Sequence, residues 1–497
     1  MRRIASSFPA PDSGRGRFAF LALTAASLLL CIRTDASVRP RFGGTLRVQM
    51  SERVENLDPR QRPSAPAQTA ALERLDTLVF DRLVRLDGHG TLQPGLAVSW
   101  QYDAQGKRWL FRLRDGVKFS DGTPLTPPVA AMALQQLLGV SFDVSANSDS
   151  VVIGADQSLV GLPMQLATGR YFIFRAGDDG SLVGTGPFRN TLIESMGAAT
   201  QMVFDANETC WAGRPYVDKL ALSIGMNGDQ QADAIAFGQA DIVELPPSQV
   251  RRAAQRGVRT VSSDPVELFA LVLDAARPAV QDPRARQAIS LAIDRTSIAN
   301  VILQGQGAVA AGLLPNWISG YAHLFPVSFD LPRAKDLLAA SGRQLSRSSP
   351  LVLVYDSSDS EARAVADRVS VNLREAGIVV QVSGQPVDGK AKPPAADVRL
   401  VRERMNAPVA APALFELLQP LGELAANMKT LEDVYDAERA PLEAYRVIPL
   451  VHVSESYGLS PQVRDWMAPR WGGWGLADVW LGPPSTAGSG APGSNAP

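Results

Sequence analysis

Several residue groups in this 497-residue chain have types suited to chemistry, and their spacing sorts them. Gly184-Thr185-Gly186 is glycine-rich enough to let a backbone approach a phosphate, but it lacks the Lys-Ser/Thr pair of a phosphate loop, so a structural bend is expected. His89, His323 and His452 are scattered, with no short-range spacing of a metal site. Cys210 stands beside Trp211 and reads as a packed thiol. Ser454-Glu455-Ser456 follows His452 closely but is not the Gly-x-Ser-x-Gly elbow of a hydrolase. No catalytic residue, metal site or cofactor is expected.

Groups suited to gripping a ligand are more numerous. Arg399, Arg402 and Arg404 lie in one stretch, and on a strand Arg402 and Arg404 share a face. Two such guanidinium groups suit bidentate capture of a carboxylate or phosphate. The competing role is a charged edge strand that deters aggregation. Trp317 follows Leu314-Pro315-Asn316, and Trp471-Gly472-Gly473-Trp474 places two indoles around a flexible turn. Aromatic walls with a few polar anchors are typical of ligand pockets, while packing between structural units would use the same residues. Ser51, Glu52 and Asn56 follow the first strand, where an α/β unit presents groups to its crevice, and Tyr355 ends a later strand. Trp100, Trp109 and Trp211 are expected in the core.

The elements that position these groups are legible in part. Val98–Tyr102 and Trp109–Leu113 read as strands around a turn, and Thr126-Pro127 opens a helix through Leu138. Asp282-Pro283 starts another helix, and Asp294 a further one carrying Ile298, Val301 and Ile302. A short helix runs from Asp330 to Gly342. Leu351–Tyr355 (strand), Glu361–Ala376 (helix, ended by Gly377) and Ile378–Val382 (strand) form a βαβ unit with a parallel pair. Arg343–Pro350 and Ser383–Ala396 read as loops.

Composition narrows the class. Lys+Arg 49 against Asp+Glu 50 leaves no basic excess for nucleic acid, and two cysteines build no disulfide framework. Arg2, Arg3, Arg15 and Arg17 precede an apolar run, Phe18–Ile32, and Thr34 and Ala36 are small. Fifteen helical residues would span about 22 Å, short of a bilayer core, so residues 1–36 read as a cleavable secretory signal. An uncleaved anchor, or a lipoprotein using Cys31, is the alternative. Cleavage would remove five Arg and two Asp, taking the formal charge from −1 to −4. Residues 482–497 read as a disordered Gly/Pro/Ser/Ala tail.

An ordered series of motifs then resembles the peptide/nickel (family 5) solute-binding proteins of ABC importers. Phe42-Gly43-Gly44-Thr45-Leu46-Arg47-Val48, Asn56-Leu57-Asp58-Pro59 and Pro94-Gly95-Leu96-Ala97-Val98-Ser99-Trp100 open it. Phe111-Arg112-Leu113-Arg114-Asp115-Gly116-Val117-Lys118-Phe119-Ser120-Asp121-Gly122-Thr123-Pro124-Leu125-Thr126 is its most recognisable block. Gly184-Thr185-Gly186-Pro187-Phe188, Trp211-Ala212-Gly213-Arg214-Pro215-Tyr216 and Asp282-Pro283-Arg284-Ala285-Arg286-Gln287-Ala288-Ile289 follow in order.

The resemblance covers residues 42 to about 480 and implies an α/β, two-lobed Venus-flytrap fold with an extra β-rich subdomain near 90–185. Residues 40–272 and 451–481 would form the first lobe and 273–450 the second. It implies an extracytoplasmic, periplasmic, monomeric protein that encloses a peptide-like or other small organic solute and docks on an ABC permease. A ligand sensor docking on a membrane receptor, or a secreted hydrolase, are the alternatives. One departure bears on the ligand. Where the family commonly runs a strand into Gly-Trp and an acidic residue, this chain reads Asp397-Val398-Arg399-Leu400-Val401-Arg402-Glu403-Arg404, without the tryptophan.

Overall fold

The computed structural model describes residues 39–61, 66–155, 159, 161–197, 199–321, 325–342, 349–386, 395–423 and 428–483. The expected secretory signal, Cys31, His323 and all but the first two residues of the expected tail lie outside them.

Alternation of apolar and polar residues makes β1 (Thr45–Met50), which buries Leu46, Val48 and Met50. The helix α1 (Pro66–Val79) then buries Leu72, Leu75 and Leu78. Next comes a separate four-stranded sheet made of β2 (Ala97–Asp103), β3 (Arg108–Leu113), β4 (Asp143–Ala146) and β5 (Ser150–Gly154), ordered β2-β3-β5-β4. The helix α2 (Pro127–Leu138) packs on it, and Phe111, Phe119, Leu134 and Ile153 fill the core. This is the expected β-rich subdomain. Trp100, Trp109 and Trp211 pack against its core while half-buried.

The chain then returns through β6 (Phe188–Met196), β7 (Ala199–Ala206), β8 (Lys219–Ile224), α3 (Gly228–Ala236), β9 (Ile242–Leu245) and α4 (Pro247–Gln255). A 15-residue strand, β10 (Arg259–Leu273), leads to α5 (Pro283–Ala292), β11 (Gly307–Val309) and α6 (Leu331–Ala340). β12 (Leu351–Asp356), α7 (Ser360–Glu375) and β13 (Val380–Gln385) follow, then β14 (Val398–Arg404), α8 (Ala410–Leu418), α9 (Leu431–Glu443) and β15 (Val447–Leu459).

Eleven of these strands form one mixed sheet ordered β6-β7-β8-β1-β9-β15-β10-β14-β12-β13, with β11 added to β15. β12 and β13 are parallel, as the βαβ pattern requires. The sheet serves two main cores. Leu46, Leu75, Phe204, Leu222 and Tyr457 belong to one, and Phe269, Ile289, Leu353, Val369 and Val453 to the other. β10 and β15 run from one core to the other: Val261 and Leu459 pack with the first, Leu271 and Val451 with the second. The architecture is mixed α/β and two-lobed.

Two details differ from the expectations. Val301 is exposed, because residues Ile298–Ile302 form a π-helical turn whose wider winding takes it off the Ile298 face. The strand after α7 starts at Val380, because the Ile378 N–H is used in the helix C-cap, donating to the Leu373 carbonyl at 2.9 Å. That strand continues to Gln385, so Ser383–Gln385 are not loop.

Candidate ligand site between the lobes

β14 is hydrogen-bonded to β10 along its whole length and to β12 at Val398 and Arg399, so Arg402 and Arg404 lie beyond the β12 pairing, and it is their ion pairs that set them apart from a solvated charged edge. Arg402 and Arg404 are both inside ion-pair networks made of the chain's own acids. The Arg402 guanidinium donates to Glu267 at 2.6 and 2.9 Å, to Glu361 at 3.1 Å and to Asp359 at 3.2 Å. Burial pushes the Glu361 carboxyl up to about 7; Arg402 opposes that rise, while Asp359 and Glu267 add to it.

Arg404 reaches the other way, toward α1. It donates to the Glu455 carboxylate from Nε at 2.9 Å and from an Nη at 3.2 Å, and to Asn406 Oδ1 at 2.6 Å. Arg74 of α1 donates to the same Glu455 at 2.5 and 2.6 Å and to Glu244 of β9 at 2.8 Å. The Tyr457 hydroxyl adds a fifth bond to Glu455, at 3.0 Å. Burial alone would raise the Glu455 pKa, but Arg404 and Arg74 outweigh it and hold the carboxyl well below its usual range.

Ser51 and Glu52 stand at the first-lobe end of this network. The Ser51 N–H donates to Glu244 at 2.7 Å, and Gln231 donates to the Ser51 hydroxyl at 2.8 Å. Burial and the neighbouring Glu244 raise the Glu52 pKa. The Asn56 side-chain oxygen is buried on the same loop. Trp474 is 2% exposed and lies beneath Arg74, 5.5 Å from guanidinium carbon to ring centroid. Trp471 stacks instead on Trp317, with centroids 5.8 Å apart and planes 16° from parallel. The Trp317 indole N–H donates to the Pro265 carbonyl at 2.8 Å, and Arg470 covers its ring. A Cβ at Gly473 would collide with Thr77 of α1, so glycine there lets this turn lie against the helix.

Six of the nine candidates thus gather around α1 and the β10–β15 crossing: Ser51, Glu52, Trp317, Arg404, Trp471 and Trp474, with Asn56 farther along the loop that follows Ser51 and Glu52. Arg402 heads the neighbouring network. Tyr355 stands apart, paired across β12–β13 with Gly384 and packed on the second core. Sequence reasoning passed over Arg74, Glu244 and the ligating role of Glu455. The available signals were Arg74 on the apolar Ala70–Leu78 face of α1, and Ser454-Glu455-Ser456 interrupting the apolar run of β15.

The chemistry-bearing groups set aside earlier have structural partners. Side chains at Gly184 and Gly186 would strike the Val79 backbone, and Thr185 donates to Asp81 at 2.8 Å. Burial pushes the Cys210 thiol up to about 11. His452 Nε2 is 2.9 Å from the Leu313 carbonyl, and burial brings its pKa down to about 4. The Ser456 and Ser262 hydroxyls are 2.8 Å apart. A groove of about 730 Å³ lies far from these charges in character, against α2, lined by Met132, Val140 and other uncharged residues.

Two lobes thus share one sheet, and charged and aromatic side chains gather beside the β10–β15 crossing. Residues 91–151 and 170–412 match the bacterial extracellular solute-binding proteins, family 5, and the chain belongs to that family of ABC-importer binding proteins. It is similar to the nickel-binding periplasmic protein of Escherichia coli (strain K12), at 26% identity over 350 residues, covering 62% of this chain and 66% of that protein. It is also similar to probable di/tripeptide-binding protein 5 of Pseudomonas aeruginosa (strain UCBPP-PA14), at 26% over 378 residues, 66% of this chain and 68% of that one. The matched region therefore spans about two thirds of these relatives' length. Among solved structures, the ABC transporter substrate binding protein CtaP from Listeria monocytogenes has a similar fold, with a TM-score of 0.74 at 16% identity, covering 89% of this chain and 100% of that one.

Proposed function

We propose that this chain is an exported, periplasmic solute receptor that encloses a peptide-like or other small organic solute between its lobes and delivers it to an ABC permease. It performs no covalent chemistry. The observation that carries the reading is the convergence of Arg74 from one lobe and Arg404 from the other beside the Trp317–Trp471 stack. Groups from both lobes at one point let a bound solute favour the closed form over the open one.

A peptide-like solute is favoured over a bare metal ion. Among the described residues no three His, Cys, Asp or Glu side chains are grouped to hold a metal, and His452 is turned to a backbone carbonyl. The lobes are assigned to the two cores, with the crossing inside β10 and β15, near Ser262–Glu267 and Ser454–Ser456. The test is a thermal-shift titration with di- and tripeptides, nickel–histidine, sugars and simple carboxylates. A binder of the native state adds about 2.7 kcal/mol at a hundredfold excess over Kd and more as the excess grows, so one class should raise Tm progressively with concentration. A flat response to every class would overturn the reading.

A further inference from the structure

The crossing between the lobes is irregular where a straight ladder would be stiff. β10 and β15 pair along most of their length, but the register shifts between Ser262 and Pro265, between Pro265 and Glu267, and again between Phe269 and Ala270. Glu455 lies on β15 opposite this stretch, and its N–H donates to Ser263 Oγ at 3.1 Å rather than to a ladder carbonyl. Its carboxylate takes Arg74, on a helix packed in the first core, and Arg404, at the end of a strand packed in the second. Both arginines contact both oxygens of the one carboxylate, so Glu455 joins a group of the first core to a group of the second through a single side chain.

We propose that Glu455 is a closure lock: a carboxylate at the hinge that clamps one arginine from each lobe and biases the solute-free protein toward the closed form that solute completes. The inference rests on the reading that the lobes move. Both partners are buried, with side-chain exposures of 6% for Arg74, 5% for Arg404 and 15% for Glu455, so the clamp is poorly screened by water. The lock raises the closed share of the solute-free protein, and a solute enters when one arginine releases. Tyr457, which also donates to Glu455, and Glu244, which shares Arg74, keep the first-lobe arm in place. The second-lobe arm, Arg404, is the one that lets go.

The experiment compares the mature protein with Glu455→Gln, Glu455→Asp and Arg404→Gln by small-angle scattering, alone and with the solute panel used above. Near-ultraviolet circular dichroism reports the Trp317–Trp471 stack in parallel, and a cooperative melt shows that each variant is folded. The lock predicts a solute-free wild type more compact than either neutral variant, with solute bringing all of them to the same closed radius. Glu455→Gln and Arg404→Gln should expand and lose the stacked-indole signal, the closed-to-open ratio falling about tenfold or more, and should contract again with solute. Glu455→Asp keeps the charge and stays compact. A wild type that is already expanded and contracts with solute, with both neutral variants behaving identically, would overturn the lock and leave the closure reading standing. Radii unchanged in every variant, with and without solute, would overturn both.

Discussion

Trp471 and Trp474 sit three positions apart and look like a pair in the sequence, yet their surroundings divide them. Trp474 is inside the first core, and its carbonyl accepts the Trp466 indole N–H at 2.8 Å. Truncating an aromatic ring there leaves a cavity that the close-packed surroundings fill only in part. Trp474→Ala should therefore cost about 3–5 kcal/mol in chemical denaturation. Trp471 is half-buried, and its partner is the single ring of Trp317. Trp471→Ala should cost less than about 1.5 kcal/mol while weakening solute binding. Equal stability losses would mean that both indoles are packing groups. The arginines were only half legible for a related reason. A strand's alternation placed Arg402 and Arg404 together, but pairing with Glu267 and Glu455, distant in sequence, leaves no local trace. Arg74 was hidden because an amphipathic helix is read by its apolar residues, and one charge on the buried face looks like noise until its partners are known.

At the scale of elements, helix starts were the most readable feature, because caps are local chemistry. Asp282 accepts from the Arg284 N–H at 2.8 Å, Asp330 from Arg333 at 2.9 Å and Asp294 from Ser297 at 3.0 Å. Strand ends were less so, since the Ile378 N–H could close the helix or join the sheet, and only the sheet's register decides. The start of α7 also carries a pH response. Glu361 in its first turn lies near the Ser248 N–H at the start of α4, at 3.4 Å, and faces Arg402, Asp359 and Glu267. Its pKa rises from 4.5 to about 7 on folding, so the native state takes up a proton between those values. The folded form thus binds more protons than the unfolded one, and stability falls as pH rises through that window. Glu361→Gln, neutral at every pH, should match wild type near pH 5 and exceed it near pH 8 by roughly 1–3 kcal/mol. Denaturation at the two pH values checks this, and a variant less stable at pH 8 would contradict it.

The whole molecule is organised around two cores that share one sheet, with β10 and β15 belonging to both. The family's overall form was legible because its motifs are architectural turns and caps, strung in order over nearly the full chain. The solute was not, since Asp397–Arg404 departs from the strand into Gly-Trp and an acidic residue that the resemblance led one to expect, and it carries Arg402 and Arg404. Those arginines meet acids from α7, β10 and β15, so the electrostatics of the site exist only in the assembled fold. The most direct test of solute capture is native mass spectrometry of the full protein, recovered without denaturation and then incubated with the same peptide, nickel–histidine, sugar and carboxylate panel. The account predicts a single one-to-one adduct with a small solute, released when the protein is denatured. Identical native and denatured protein masses across the whole panel would contradict it.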